Sequence, residues 1–110
     1  MTIREAAAAL GAEILHDDFE DVKLSGAYSS DLLSDVLANS KLHGGALITI
    51  QAHRNTVAVA TVVDISAIIV CNSRPVPEEM LSAAKEQRIA ILLTKENQFT
   101  VSGKLYKLFN

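Results

Sequence analysis

The side chains best suited to chemistry fall in four short polar segments, each following an apolar run: Tyr28-Ser29-Ser30, His53-Arg54-Asn55, Asn72-Ser73-Arg74 and Thr94-Lys95-Glu96-Asn97. Together they offer the cations Arg54, Arg74 and Lys95, several hydroxyls and amides, and the free amides of any helix that starts there. Such groups suit an anionic small molecule, because guanidinium forks and helix N-termini both favour phosphate or carboxylate. Other chemistries find less support. His16, His43 and His53 lie in three separate expected surface loops and lack the pairwise spacing of a metal site or a catalytic triad. Cys71 closes an apolar run, where a thiol ordinarily serves as a small buried hydrophobe. Asp31 and Asp35 stand one helical turn apart, a spacing that could hold a cation but more ordinarily marks a solvated helix face. Gly44-Gly45 precedes a strand instead of opening a helix, and the chain has neither a P-loop nor a dinucleotide fingerprint. Phosphoryl transfer is therefore not expected, no catalytic residue is assigned, and neither a cofactor nor a metal is implied.

The elements that must position these segments can be read from periodicity and caps. Thr2-Ile3-Arg4-Glu5 has the spacing of a capping box and predicts a short helix to Leu10, stopped by Gly11. Glu13–Leu15 is a short strand, His16–Asp21 an acidic, solvated loop, and Val22–Tyr28 a strand. Ser29 or Ser30 caps a helix whose apolar face is Leu32, Leu33, Val36 and Leu37. Ala46–Ile50 is the next strand. The long apolar stretch from Thr56 to Val70 exceeds any ordinary strand and falls short of a membrane span, so it divides into a helix over Thr56–Val63, capped by Asn55, and a strand over Ile65–Cys71. Pro77 marks the first residue of another helix, with Glu78 and Glu79 at its positive end and Lys85 and Arg88 at its negative end. Ile89–Leu93 lacks alternation, as a strand covered on both faces does, and Phe99–Leu108 is a last amphipathic helix. Strands alternating with helices predict an α/β fold, a three-layer α/β/α sandwich with a mostly parallel central sheet. In such a sheet the four polar segments follow the carboxyl ends of the strands, where ligands gather. Any α/β sheet also displays a polar rim there.

At 110 residues, 49% of them apolar and 21% charged, the chain has the size and composition of a single domain spanning 1–110 with a real core. Ten basic residues against thirteen acidic ones give a net charge of −3, which argues against sequence-independent nucleic-acid binding. No membrane partner is expected. One cysteine excludes an intrachain disulfide framework, and Met1–Ala12 is too short for a secretory leader and carries Glu5, so a reducing cytoplasm is the expected compartment.

The segments GAYSSDLLSDVLANSK, GGALITIQAHRNTVAVATVVDISAIIVCNSRPVPEEML and IAILLTKENQFTVSGKLYKL resemble the DRTGG domain over about Val22–Leu108. Ser30–Ala38 and Phe99–Leu105 are the most specific pieces. The resemblance implies a three-layer α/β module similar to the N-terminal domain of HPr kinase/phosphorylase, which is distinct from that enzyme's kinase domain and implies no kinase activity. Relatives of this type accompany CBS pairs in regulated pyrophosphatases, sit in phosphotransacetylases, or occur alone, and this chain is similar to the stand-alone kind. Where many members carry Thr-Gly-Gly followed by Pro, this sequence has Cys71-Asn72-Ser73-Arg74-Pro75, so that turn carries over no ligand. The resemblance implies a non-enzymatic regulatory or protein-interaction domain with an as yet unidentified protein partner. Homodimerisation is expected too, since Val57, Val59 and Val62 supply more apolar surface than one buried helix face requires. The alternative function is a sensor that binds an adenine nucleotide or another phosphorylated small molecule at the rim.

Overall fold

The computed structural model describes residues 1–109. In chain order the elements are α1 (Ile3–Leu10), β1 (Glu13–Ile14), β2 (Ala27–Ser29), α2 (Leu33–Asn39), β3 (Gly45–Thr49), α3 (Arg54–Val62), β4 (Ile65–Val70), α4 (Glu78–Gln87), β5 (Ala90–Leu93) and α5 (Gln98–Phe109). The five strands form one sheet in the order β1-β5-β4-β3-β2. β2, β3, β4 and β5 run parallel, and only β1 is antiparallel, against β5. The expected three-layer α/β sandwich with a mostly parallel sheet is what forms.

Strand alternation divides the core in two. Ala46, Ile48, Ala67, Ile69, Ala90 and Leu92 face α1 and α5, where Ile3, Ala6, Leu10, Val101 and Leu105 meet them. Leu47, Ile68, Val70 and Ile91 face the other way and pack on Val36, Val57, Ala60, Met80 and Ala84 of α2, α3 and α4. Both faces of the central strands are thus apolar, which is why these segments read as unbroken hydrophobic runs. Ile68, Ile69, Ile91 and Leu92 are fully buried, each contributing about 2 kcal/mol of transfer free energy.

Several expectations are corrected. The strand drawn over Val22–Tyr28 shrinks to Ala27–Ser29, because the chain before it is held by α1: Ile3 donates to the Val22 carbonyl, Leu24 donates to Met1, and Lys23 bridges Thr2. The His16–Asp21 loop is not simply solvated. His16 is buried, with Nε2 2.7 Å from the Ile89 carbonyl oxygen and Nδ1 accepting from the Asp18 amide, and Phe19 sits in the core against it. That pattern of partners sets the Nε2–H tautomer. Of the expected α2 face only Val36 is buried; Leu32 and Leu37 stand mostly exposed. Neither Ser29 nor Ser30 caps α2: Leu32 occupies the cap position, and the Ser30 hydroxyl accepts from the Leu32 amide in a tight turn just before it. α3 begins at Arg54 with His53 at the cap position, so Asn55 lies inside the helix. Pro77 is the cap residue of α4, so the helix starts at Glu78, one place later than expected. The cap of α5 had no expected owner; Asn97 fills it, its side-chain oxygen accepting from the Thr100 amide.

Candidate functional site

All four polar segments lie at the carboxyl ends of the parallel strands, and hydrogen bonds tie them in pairs. Ser30 donates its amide to Ile48, and the Asp31 carboxylate accepts from the Ile50 amide at 3.1 Å and the Thr49 hydroxyl at 3.4 Å, fastening the segment after β2 to that after β3. Asn72 and Ser73 donate their amides to Glu96 and Thr94, fastening the segment after β4 to that after β5. Cys71 to Thr49 and Thr94 to Val70 complete the row. Asn72 and Ser73 adopt left-handed backbone, with φ of 60° and 50°, which turns the chain sharply at the strand end.

Within this rim the structure brings together His53, Arg54, Asn55 and Arg74. The first three share a depression of about 410 Å³ with Pro77 and Glu79. His53 also borders a second depression, of about 250 Å³, with Ile50, Gln51, Ala52, Arg74 and Pro75. His53 is thus common to the depression that Arg54 lines and to the one that Arg74 lines. The first turn of α3, which borders this region, has no side-chain cap, and its Thr56 amide donates to the His53 carbonyl. Thr56 fixes the entry to that turn by donating its hydroxyl to the Gln51 carbonyl at 2.7 Å.

The other expected site residues are placed elsewhere. The Tyr28 phenol turns away toward α2 and donates to Asp35 at 2.8 Å. Ser29 lies on a groove beneath α5. Ser30 is spent on its own turn, and Thr94 is buried with its hydroxyl accepting from the Glu96 amide. Asn72, Ser73 and Lys95 lie on the rim but line neither depression. Ile50, Gln51, Ala52, Pro75, Pro77 and Glu79 are the lining residues that sequence reasoning missed. The closely spaced Pro75 and Pro77, which stiffen the path from Arg74 to α4, were the available signal. Glu79 adds a carboxylate to the depression that Arg54 lines, which favours a ligand that also offers a donor.

The Cys71 thiol is set by its surroundings. Burial, reinforced by the Asp31 charge, pushes the Cys71 thiol up to about 11, so it stays protonated at neutral pH. Asp31 and Asp35 do not converge: one secures the end of β3, the other accepts from Tyr28 and Asn39. Among the described residues no group of three or more His, Cys, Asp or Glu side chains could hold a metal ion. No helix among them is long and apolar enough to cross a membrane.

A mixed five-stranded sheet between two helical layers, with a polar rim at the carboxyl ends of its parallel strands, defines a small three-layer α/β module. The family model for the DRTGG domain matches residues 5–108, and the chain belongs to that family. Among solved structures it is similar to the regulatory region, CBS and DRTGG domains, of a Clostridium perfringens pyrophosphatase in complex with its activator, diadenosine tetraphosphate. The likeness has a TM-score of 0.78 at 18% identity and covers 94% of this chain and 45% of that one, so this chain spans less than half of that region. No curated protein matches the chain.

Proposed function

We propose that the chain is a regulatory and protein-interaction domain that catalyses no reaction, with residues 1–110 acting as one unit in a reducing cytoplasm and pairing as a homodimer through the outer surface of α2 and α3. The carrying observation is the exposure of Leu37 (51%) and Val62 (73%), which line one shallow groove with Leu42 and Val63. Leu32, 64% exposed, stands at the start of α2. Large apolar side chains gathered on one surface are a mark of association. Of the three valines expected to drive pairing, Val57 is buried in the core and Val59 is partly buried, so the contact falls to Val62 and its α2 neighbours. Sedimentation at micromolar concentration tests this. A dimer that Val62→Glu converts to a folded monomer supports it, and a native monomer overturns it.

A second function is favoured by the grouping of Arg54, Arg74, His53 and the uncapped start of α3: sensing of an adenine nucleotide or other phosphorylated small molecule. The activator in the pyrophosphatase complex is a molecule of that class. Calorimetry with AMP, ATP, diadenosine tetraphosphate and inorganic phosphate tests it. Binding that weakens about tenfold or more in Arg54→Ala and in Arg74→Ala is expected, since hydrogen bonds to charged groups contribute about 1.5–3 kcal/mol. No binding in the panel, or binding indifferent to both substitutions, removes the sensor.

A further inference from the structure

The open edge of the sheet carries a groove that neither proposal uses. β2 is an edge strand, paired only with β3. In the parallel ladder the Gly26 carbonyl accepts from Ala46 and the Ser30 amide donates to Ile48, so even-numbered residues of this segment turn their backbone groups toward β3. Ala27 and Ser29 therefore point their N–H and C=O outward, away from the sheet. On the same side, α5 overlooks the edge across a groove of about 350 Å³ whose apolar surface includes Ile48, Leu105 and Phe109. The groove exists because Ala27 and Ser29, the β2 side chains that face α5, are too small to fill the space beneath the helix.

We infer that this edge receives an extended segment of a partner protein as a further strand, with bulky apolar side chains at alternate positions inserted beneath α5. The inference rests on the chain being an interaction domain, but not on its self-association or on nucleotide binding. Two features identify the occupant. The unpaired donors and acceptors of Ala27 and Ser29 recur at strand spacing, which another extended backbone matches. From Ser102 to Phe109 the helix wall runs about 10 Å, room for two side chains that project from one face of a strand about 7 Å apart. A second copy of β2 fits poorly. Its own Ala27 and Ser29 would enter the groove and leave it nearly empty, whereas a segment with leucine- or phenylalanine-sized residues fills it.

The test is a displayed library of random eight-residue peptides screened on the whole chain, followed by anisotropy with labelled winners and hydrogen exchange. Selected peptides should carry large apolar residues two positions apart, and their binding should protect the Ala27 and Ser29 amides. Ser102→Trp, which fills the groove from the helix side, should weaken them at least tenfold. So should Ser29→Pro, which removes an outward N–H without touching the ladder to β3. Val62→Glu and Arg54→Ala should leave them unchanged, which separates this edge from the dimer and nucleotide surfaces. Failure to select any peptide overturns the inference, as does binding indifferent to Ser102→Trp or without protection at Ala27 and Ser29. Protection of those amides by the chain alone at high concentration would give the edge to a second copy and equally overturn it.

Discussion

Tyr28 and Asp35 are joined across the boundary between sheet and helix: the phenol on the edge strand donates to the carboxylate on α2 at 2.8 Å. The bond opposes loss of the phenolic proton and favours the ionised carboxylate, so Tyr28 titrates above its ordinary 10.0 and Asp35 below its ordinary 3.8. Asp35 is held further by Asn39.

The two shifts predict opposite pH limbs. A lowered carboxylate contributes stability that is present above its unfolded value near 4 and disappears as pH falls through the lower folded value. A raised phenol contributes stability that is present below about 10 and disappears as pH rises through the higher folded value. Tyr28→Phe should therefore shrink the alkaline limb, leaving the part due to the raised Cys71 thiol, and shrink the acid one, leaving the parts due to Asn39 and Glu5. Thermal midpoints of native and variant protein between pH 2 and pH 11 check this, and parallel curves across that range would refute it.

Much of this architecture is legible in the sequence, because the apolar runs over Ala46–Ile50, Ile65–Cys71 and Ile89–Leu93 can only be central strands when helices alternate with them. The division of the long apolar stretch also emerges as expected: α3 ends at Val62, and Asp64 turns the chain in left-handed backbone, φ 58°, before β4. What stayed hidden depends on partners distant in sequence. His16 is buried because Ile89, seventy-three residues away, supplies its carbonyl partner. Val22–Leu24 has the composition of a strand, but its backbone groups go to Met1 and Ile3. At the rim, topology foretold which strand ends meet, but not that Lys95 would line neither depression or that Glu79 would line one together with Arg54.

The Thr2–Glu5 capping box predicts a second acid-sensitive contact. The Thr2 hydroxyl accepts from the Glu5 amide at 3.2 Å, and the Glu5 carboxylate accepts from the Thr2 amide at 2.8 Å, which lowers the Glu5 titration below its ordinary 4.5. Thr2→Ala should cost about 1 kcal/mol, typical of a lost N-cap, read as a drop in urea midpoint at constant slope. The Glu5 contribution is present above its unfolded value and lost as pH falls through the lower folded one. The cost of Glu5→Ala should therefore fade below pH 4; a cost that persisted at pH 2 would show that the box is not its source.

Cys71 should behave as a buried methyl-sized group with a silent thiol. Its side chain is fully buried, and its titration lies near 11. Modification by a disulfide reagent at pH 8 should be slow, and it should accelerate with urea in step with unfolding. Rapid labelling of the folded protein would show that the end of β4 opens on its own.

Two glycines should respond to alanine with opposite signs. At Gly45 an added Cβ would lie 2.5 Å from Leu42 Cδ1, 2.9 Å from Leu42 Cβ and 3.0 Å from the Gly26 carbonyl oxygen. Leu42 lies in the Lys41–Gly44 connection that leads into β3, so relief requires backbone movement beside the β2–β3 ladder, and Gly45→Ala should cost about 1–3 kcal/mol as overpacked sites do. At Gly103, on α5, the added Cβ meets nothing within 4 Å, and the residue is exposed. Alanine there restricts the unfolded chain and suits the helix, so Gly103→Ala should stabilise by about 0.5–1 kcal/mol. Urea denaturation of both variants reads the contrast directly, since equal slopes make the difference in midpoint a difference in stability. A neutral Gly45→Ala would mean that the Leu42 turn is free to retreat, and with it the packing that seats β2 against β3.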